Sequence, residues 1–403
     1  MATLVHELSL PEFGLDTWTL SRAEWIEAIA QARTKHGWLA RTPMGYSITG
    51  YDAAVGLLRD QRFHSALSLI PQMQGLSPDV LDRAPSILST EGEVHSRLRR
   101  LVAPAFTPKA ADRLRPYMRS VITDLVDAAL PSGRLDMMAD VCEPYPIPII
   151  CELLGAPKHD WRLFSAWATD LLRIFNNNLA HDLPAIGAAR DALNDYMVLL
   201  IAQRRADPRE DLLSDLIAAE QAGDRLDTQE LVSMAQAVLV AGTDTTRNQL
   251  GCIMGVFAEH PDQWALLVEN PSLAPRAVEE AMRYLGAVRG TVRVAAQEVE
   301  YDGVLFPKGT IVFPSFIAAN FEPDRWVSPQ TFDITKDPAR SPHLTFGAGI
   351  HYCLGAWLAR AELQEALPVL AARLPRLDLE SPIVWKPVTF GIWGPEQMVF
   401  RTS

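Results

Sequence analysis

The chain is short of cysteine, with four in 403 residues, at positions 142, 151, 252 and 353. Their spacing makes neither the dense framework of a disulfide-stapled secreted protein nor the paired CxxC arms of a zinc site, and a reducing cytoplasm fits it. The sequence also lacks any run approaching the roughly 18 apolar residues that would span a membrane. Its opening stretch, MATLVHELSLPEFGLDTWTL, has early acids and a proline where a leader would have basic residues and an apolar core, so no signal peptide is read there. Positive charge is in deficit. With 37 Lys and Arg against 49 Asp and Glu, the net charge of −12 argues against duplex nucleic acid as the main partner, because phosphate binding draws on a net or clustered positive field. Repeats and low-complexity linkers are absent as well. What is there is an ordinary globular composition, 48% hydrophobic. By length it suits two or three domains, or one large domain with a deep core and room for a buried cofactor.

Most of the chain has helical periodicity. From about 38 to 50, apolar and polar residues alternate as in a strand pair around a Pro43–Gly45 turn, and a helix begins at Tyr51. A second strand-like region runs from Thr291 to Pro314 around the turns Asp302–Gly303 and Lys308–Gly309, and the stretch between about 89 and 285 reads as predominantly helix. The expectation is a mainly α chain with small β-sheets (α+β), residues 1–403 forming a single large helical domain with a sheet at each end. The longest helix starts at a capping-box pattern, Asp227 with Glu230, and continues to Glu259 before Pro261. At roughly 30 residues, or about 45 Å, it is long enough to cross a domain. At its centre the apolar run Ala237–Ala241 meets Gly242, Thr243, Asp244, Thr245 and Thr246. Glycine and threonine weaken a helix interior, so either this is a surface-facing polar patch or it serves chemistry.

The strongest signal is His343-Leu-Thr-Phe-Gly-Ala-Gly-Ile-His-Tyr-Cys353-Leu-Gly-Ala-Trp-Leu-Ala-Arg-Ala-Glu, with Phe346, Gly349, Cys353 and Gly355 at FxxGxxxCxG spacing before a helix. Gly347 and Gly349 permit tight turns beneath a flat ligand, and Gly355 removes a side chain where the helix backbone approaches it. The sulfur stands at a helix N-terminus, which favours the thiolate that binds metal. A buried inert cysteine is the commoner fate of a lone intracellular Cys, and Cys142, Cys151 and Cys252 are assigned it.

This segment resembles the haem-binding loop of the cytochrome P-450 monooxygenases, and three further segments match that family in order. The resemblance implies haem b with Cys353 as axial iron ligand, Phe346 beside the sulfur, Gly349 and Gly355 in the loop, and His351 on a haem propionate. Glu280-Ala-Met-Arg283 resembles the family's ExxR pair, a lock beneath the haem. At i and i+3 the two side chains share a helix face. Its usual third member is an arginine from the segment before the cysteine loop. Here Thr331 and Lys336 stand in that region, and the third member stays open. Glu91-Gly-Glu-Val-His95-Ser-Arg97-Leu-Arg99 places His95 and Arg99 one helical turn apart. The resemblance makes them propionate clamps, joined by Arg293, whose planar fork suits a carboxylate. Ala241-Gly-Thr-Asp244-Thr245-Thr246 resembles the oxygen-activating segment over the haem, with Thr245 as the alcohol and Asp244 as the acid that deliver protons, and Gly242 leaving room above the iron.

The implied function is a monooxygenase that inserts one atom of dioxygen into a hydrophobic organic substrate, in a cytoplasmic monomer. No electron-transfer domain is read in the chain, so electrons would come from NAD(P)H through a separate ferredoxin reductase and ferredoxin. A basic cluster at Arg97, Arg100, Lys109, Arg113 and Arg115 is either the docking face for that acidic donor or a solvated helix face. A peroxide-driven peroxygenase and a non-catalytic haem or gas-binding protein are the alternatives. Pocket walls carried over from the family are Leu69, Ile70, Met73, Leu172, Phe175, Ala237, Ala241, Val288, Arg289, Gly391 and Ile392. Arg289 either anchors a substrate carboxylate or is structural. Ala287 and Phe390-Gly-Ile depart from the family pattern at two of these walls.

Overall fold

The computed structural model describes residues 2–14, 22–80, 86–176, 178–221, 226–337, 342–387 and 391–402. Its helices, in chain order, are α1 (Arg22–Arg33), α2 (Tyr51–Arg59), α3 (Ile70–Met73), α4 (Gly92–Val102), α5 (Pro108–Ala129), α6 (Pro146–Leu154), α7 (Trp161–Leu172), α8 (Leu179–Ala206), α9 (Leu212–Gln221), α10 (Thr228–Glu259), α11 (Pro261–Glu269), α12 (Ala274–Tyr284), α13 (Phe316–Ala319) and α14 (Ala356–Arg373). The strands are β1 (Thr3–Leu4), β2 (Leu39–Thr42), β3 (Gly45–Ile48), β4 (Phe63–Ser65), β5 (Arg134–Asp136), β6 (Arg293–Ala295), β7 (Val299–Tyr301), β8 (Val304–Phe306), β9 (Ile311–Pro314), β10 (Asp378–Leu379), β11 (Val384–Trp385), β12 (Pro395–Gln397) and β13 (Val399–Arg401). The fold is α+β, as expected.

The central helix begins as its sequence specifies. Asp227 accepts from the Glu230 N–H at 2.7 Å and the Glu230 carboxylate accepts from the Asp227 N–H at 3.1 Å, completing the capping box. Its 32 residues run about 48 Å and pack on α6, α7, α8, α11, α12 and α14. From Asn248 to Phe257 every residue is buried, as in a helix surrounded by others on all sides. Its polar middle stays helical because the side chains are satisfied one turn back: Thr243 and Thr245 donate to the carbonyls of Val240 and Ala241 at 3.0 and 2.8 Å.

The two strand regions meet instead of lying at opposite ends. β2 and β3 join β6 and β9, with β4, in one five-stranded sheet in the order β2-β3-β9-β6-β4, with β3 parallel to β9 in the register Tyr46↔Val312 and the other pairs antiparallel. β7 and β8 pair with β1 in a second sheet. A parallel pair cannot be closed by a tight turn, so residues far apart in the chain had to supply it. The helical stretch is interrupted by β5, which joins β13 and β10 near the C-terminus. That three-stranded sheet and the β11-β12 hairpin went unrecognised in the sequence because their strands are two or three residues long.

Candidate active site

Between α10 and the segment leading into α14 lies a cavity of about 700 Å3, within the range of small-molecule sites. Cys353 is on its wall, just before α14. The loop is held by its own backbone: the Cys353 N–H donates to the Phe346 carbonyl at 2.9 Å and the Gly347 N–H to the Leu344 carbonyl at 2.7 Å. Gly347 and Gly349 take φ of 69° and 74°, where side chains are strained. A Cβ on Gly355 would meet nothing within 4 Å, so this glycine opens onto the cavity, whereas the bare Cα of Gly349 is pressed against the Leu58 carbonyl of α2. Gly349 therefore serves packing of the loop. Burial pushes the Cys353 thiol above its ordinary value, despite the Gly355 N–H and the charges of Arg99 and Arg360. The Gly355 N–H and the two arginine charges favour the thiolate, and desolvation opposes them. A metal cation facing the sulfur would supply the charge that favours the thiolate.

Two arginines and a histidine converge on the same end of the cavity. Arg293 is buried, and among the described residues its side-chain hydrogen bonds go to the Thr291 hydroxyl at 3.1 Å and the Val292 carbonyl at 2.9 Å. Burial lowers its pKa to about 10. Arg99 donates to the Tyr352 carbonyl at 2.7 Å. His351 Nε2 lies 3.0 Å from a Glu91 oxygen that also accepts the Ser65 N–H at 2.6 Å. Burial would raise Glu91, but these partners hold it below the ordinary carboxylate value. His95 sits one layer out, its ring 4.6 Å from that of His351, and its Nε2 is buried without a partner. Burial first, then the charges of His351 and Arg99, keep His95 neutral at lower pH than usual. Sequence reading did not single out the role of Glu91. The same is true of Glu362, a buried carboxyl on the cavity wall that burial keeps protonated well above its ordinary range.

On the opposite wall α10 presents Ala237, Ala241, Gly242, Thr245 and Thr246. Asp244 is not on that wall. It is buried on the other face of the helix, paired with Arg247, so acid and alcohol are neighbours in sequence that face apart, about 100° per residue around the helix. A Cβ on Gly242 would clash with Ile150 of α6 at 2.7 Å, so this glycine is required for helix packing as well as lining the cavity. Gln249, missed in the sequence, ties α10 to the segment after α12 by accepting the Ala287 N–H at 2.9 Å and donating to the Leu285 carbonyl at 3.2 Å.

The Glu280–Arg283 pair is buried and bidentate, with both bonds at 2.8 Å. Arg283 also donates to the carbonyls of Asn320 at 3.1 Å and Pro329 at 2.9 Å. The open third position is taken by Lys336, whose Nζ lies 3.4 Å from Glu280 and donates to the Ser328 and Thr331 carbonyls at 3.2 and 2.6 Å. Thr331 contributes only its carbonyl. Beside this lock, Arg360 of α14 pairs with Glu279 at 2.6 Å and lies over the Phe346 ring at 4.4 Å, tying the cysteine loop to α12.

Of the substrate walls expected from the sequence, Ile70, Met73, Leu172, Phe175, Ala237, Ala241, Val288, Gly391 and Ile392 line the cavity. Leu69 and Arg289 do not. Leu67 and Ile70 of the same turn face inward instead. Arg289 is buried with its guanidinium 3.6 Å from the centre of the Trp393 ring, a cation–π contact that places it behind the wall. Phe390 lies outside the described residues.

The site fits a flat group with anionic arms and a metal facing the Cys353 sulfur: open space at Gly355, an unpartnered His95 nitrogen, and Arg99 and Arg293 with no carboxylate at salt-bridge distance among the described residues. That defines the class, a protein built around a thiolate-held haem. The Cytochrome P450 family model matches residues 150–373. Luteothin monooxygenase of Streptomyces thioluteus is 37% identical over 100% of this chain and 99% of its own length. The 6-deoxyerythronolide B hydroxylase of Saccharopolyspora erythraea is 35% identical over 95% and 96%. Among solved structures, the P450 enzyme CxnD for C–S bond formation in chuangxinmycin biosynthesis superposes with a TM-score of 0.87 at 30% identity, covering 99% of each chain. A myxobacterial cytochrome P450 in complex with myristic acid gives 0.86 at 33%, covering 95% of this chain and 97% of its own. The chain belongs to the cytochrome P450 family and is a haem-thiolate monooxygenase of the bacterial type.

The lock predicts unequal losses. Glu280→Gln leaves the Arg283 charge buried and unpaired and is expected to cost about 3 kcal/mol, whereas Lys336→Met removes a partly exposed partner and costs about 1 kcal/mol. Urea unfolding of the two variants measures the difference. Equal losses would show that Lys336 is as integral to the pair as Arg283.

Proposed function

We propose that this protein inserts one oxygen atom of dioxygen into an uncharged, apolar organic molecule, with Cys353 holding the haem iron and electrons arriving from NAD(P)H through a separate reductase and ferredoxin. The observation that carries the reading is the cluster of Arg99, Arg293 and His95 without carboxylate partners beside the Cys353 thiol. Haem supplies the redox centre at which dioxygen is reduced. Arg99, Arg293, His95 and His351 hold its propionates, Phe346 and Gly355 shape the ground beneath it, and the apolar walls exclude water. Thr245 presents its hydroxyl to the cavity and Asp244 connects that point to solvent protons. The chain acts as one cytoplasmic haem domain and as a monomer. Cys353→Ala is expected to lose the thiolate-haem absorption of the reduced, carbon-monoxide-bound protein. Retention of that band would overturn the ligand assignment.

The substrate class follows from where the charges are. Arg99 and Arg293 cluster with the Cys353 loop, while the wall of Leu172, Phe175, Val288 and Ile392 carries no charge. With Arg289 turned onto Trp393, a substrate carboxylate reaching that wall would be desolvated without a partner. A long-chain alcohol is expected to shift the haem spectrum with an affinity about tenfold higher than the matching carboxylic acid at neutral pH, a difference of about 1.4 kcal/mol. Tighter binding of the acid would count against the uncharged class.

The donor surface is narrower than the sequence suggested. Arg97 is paired with Glu230 of α10, and Arg115 with Asp112 and Glu365. Arg100, Lys109 and Arg113 are exposed without a carboxylate partner among the described residues, and these three are assigned to the acidic ferredoxin. Reversing the charge of Lys109 and Arg113 together is expected to slow ferredoxin-supported turnover strongly at low salt and little at high salt. Equal rates at both salt concentrations would remove this face from consideration.

A further inference from the structure

Asp244 is buried behind the cavity wall, and what holds it there comes from three parts of the chain. Arg247, one turn on, pairs with its carboxylate and donates to the Thr169 hydroxyl of α7 at 3.1 Å. Lys386, which follows β11, donates from Nζ to Asn248 Oδ1 at 2.7 Å, and Asn248 Nδ2 donates to the main-chain carbonyl of Asp244 at 2.7 Å. The lysine is anchored at its backbone too. Its N–H donates to the Gly394 carbonyl at 3.1 Å and its carbonyl accepts from Trp393 Nε1 at 2.9 Å. Trp393 in turn stacks on Trp385 at 4.5 Å and 3°. The fit at Gly394 is tight, since a Cβ there would lie 2.7 Å from Asn248 Oδ1.

A lysine placed this way differs from a solvated surface lysine. Burial lowers its pKa from the ordinary value, and the groups facing it are Asp244, Arg247 and Cys252 of α10 and Glu396 of β12. Burial holds Cys252 neutral, with its thiol raised to about 12. Asp244 is therefore the one α10 group of opposite charge in this set, and Arg247 the like charge.

We propose that Lys386 is a positioning residue for proton delivery: through Asn248 and its charge opposite Asp244, the C-terminal hairpin holds the 244–248 turn of α10 in the register that presents Thr245 to the cavity. The inference rests on the reading of Asp244 and Thr245 as the proton route. Lys386 itself gains and loses no proton in the cycle. Asp244 takes one from water and returns to the carboxylate on passing it on.

The test compares Lys386→Met and Lys386→Arg with Asp244→Asn and Thr245→Ala, all loaded with haem and given the same reductase and ferredoxin. Lys386→Met is expected to divert electrons from product to peroxide about fivefold more than the parent, with its carbon-monoxide spectrum unchanged. Lys386→Arg is expected to restore coupling. With its pKa lowered by burial, Lys386 loses its charge earlier on the alkaline side than a solvated lysine and arginine does not, so the parent uncouples on the alkaline side while Lys386→Arg stays coupled. Independently of turnover, amide hydrogen exchange across residues 244–248 is expected to be at least about tenfold faster in Lys386→Met. Unchanged exchange, or failure of arginine to rescue, overturns the proposal even where methionine lowers yield. Should Lys386→Met not fold, the alkaline comparison of parent with Lys386→Arg decides it alone, and coincident pH profiles overturn it. If Asp244→Asn and Thr245→Ala leave coupling intact, the proton-route reading fails. If they uncouple and Lys386→Met does not, the inference alone fails.

Discussion

Burying a guanidinium that makes no ion pair among the described residues is the constraint on which the site turns. Among the described residues Arg293 hydrogen-bonds only to a hydroxyl and a main-chain carbonyl, and burial lowers its pKa to about 10 although the Glu91 charge opposes this. A charge in that position costs several kcal/mol unless a counter-charge arrives. The propionates of a haem would be such counter-charges. The thiol at Cys353 stands in the same relation: its surroundings disfavour the thiolate until a metal supplies the opposing charge.

The helix bundle serves that constraint by keeping the surroundings stiff. Glu280 and Arg283 satisfy each other and collect the carbonyls of Asn320, Pro329 and Thr331, with Lys336 closing the group. Glu279 and Arg360 join α12 to the helix that follows the cysteine. Glu230 does double duty, capping α10 and pairing with Arg97 on the helix that carries Arg99. Glu230 thus links the helix that carries Arg99 to the helix that carries Thr245.

Much of this was legible in the sequence where partners lie within a turn or a loop. The capping box at Asp227, the bidentate pair at Glu280 and Arg283, and the glycine-rich approach to Cys353 depend on spacings of three to seven residues, which sequence records directly. The side chains that were missed have distant partners. Lys386 and Asn248 are 138 positions apart, and Glu91 and His351 are 260 apart. No local pattern marks such pairs.

The sequence by itself determined the chemical class, a haem-thiolate monooxygenase, because motif spacing encodes backbone geometry. Only the tertiary structure decided which way each side chain faces and what neutralises it. It turned Arg289 onto Trp393 and away from substrate, put Asp244 behind the wall that Thr245 lines, joined strands of the two regions in one sheet, and gave the third place in the lock to Lys336. Those outcomes are set by packing and by the cost of leaving a buried charge unpaired, and both depend on residues that meet only once the chain has folded.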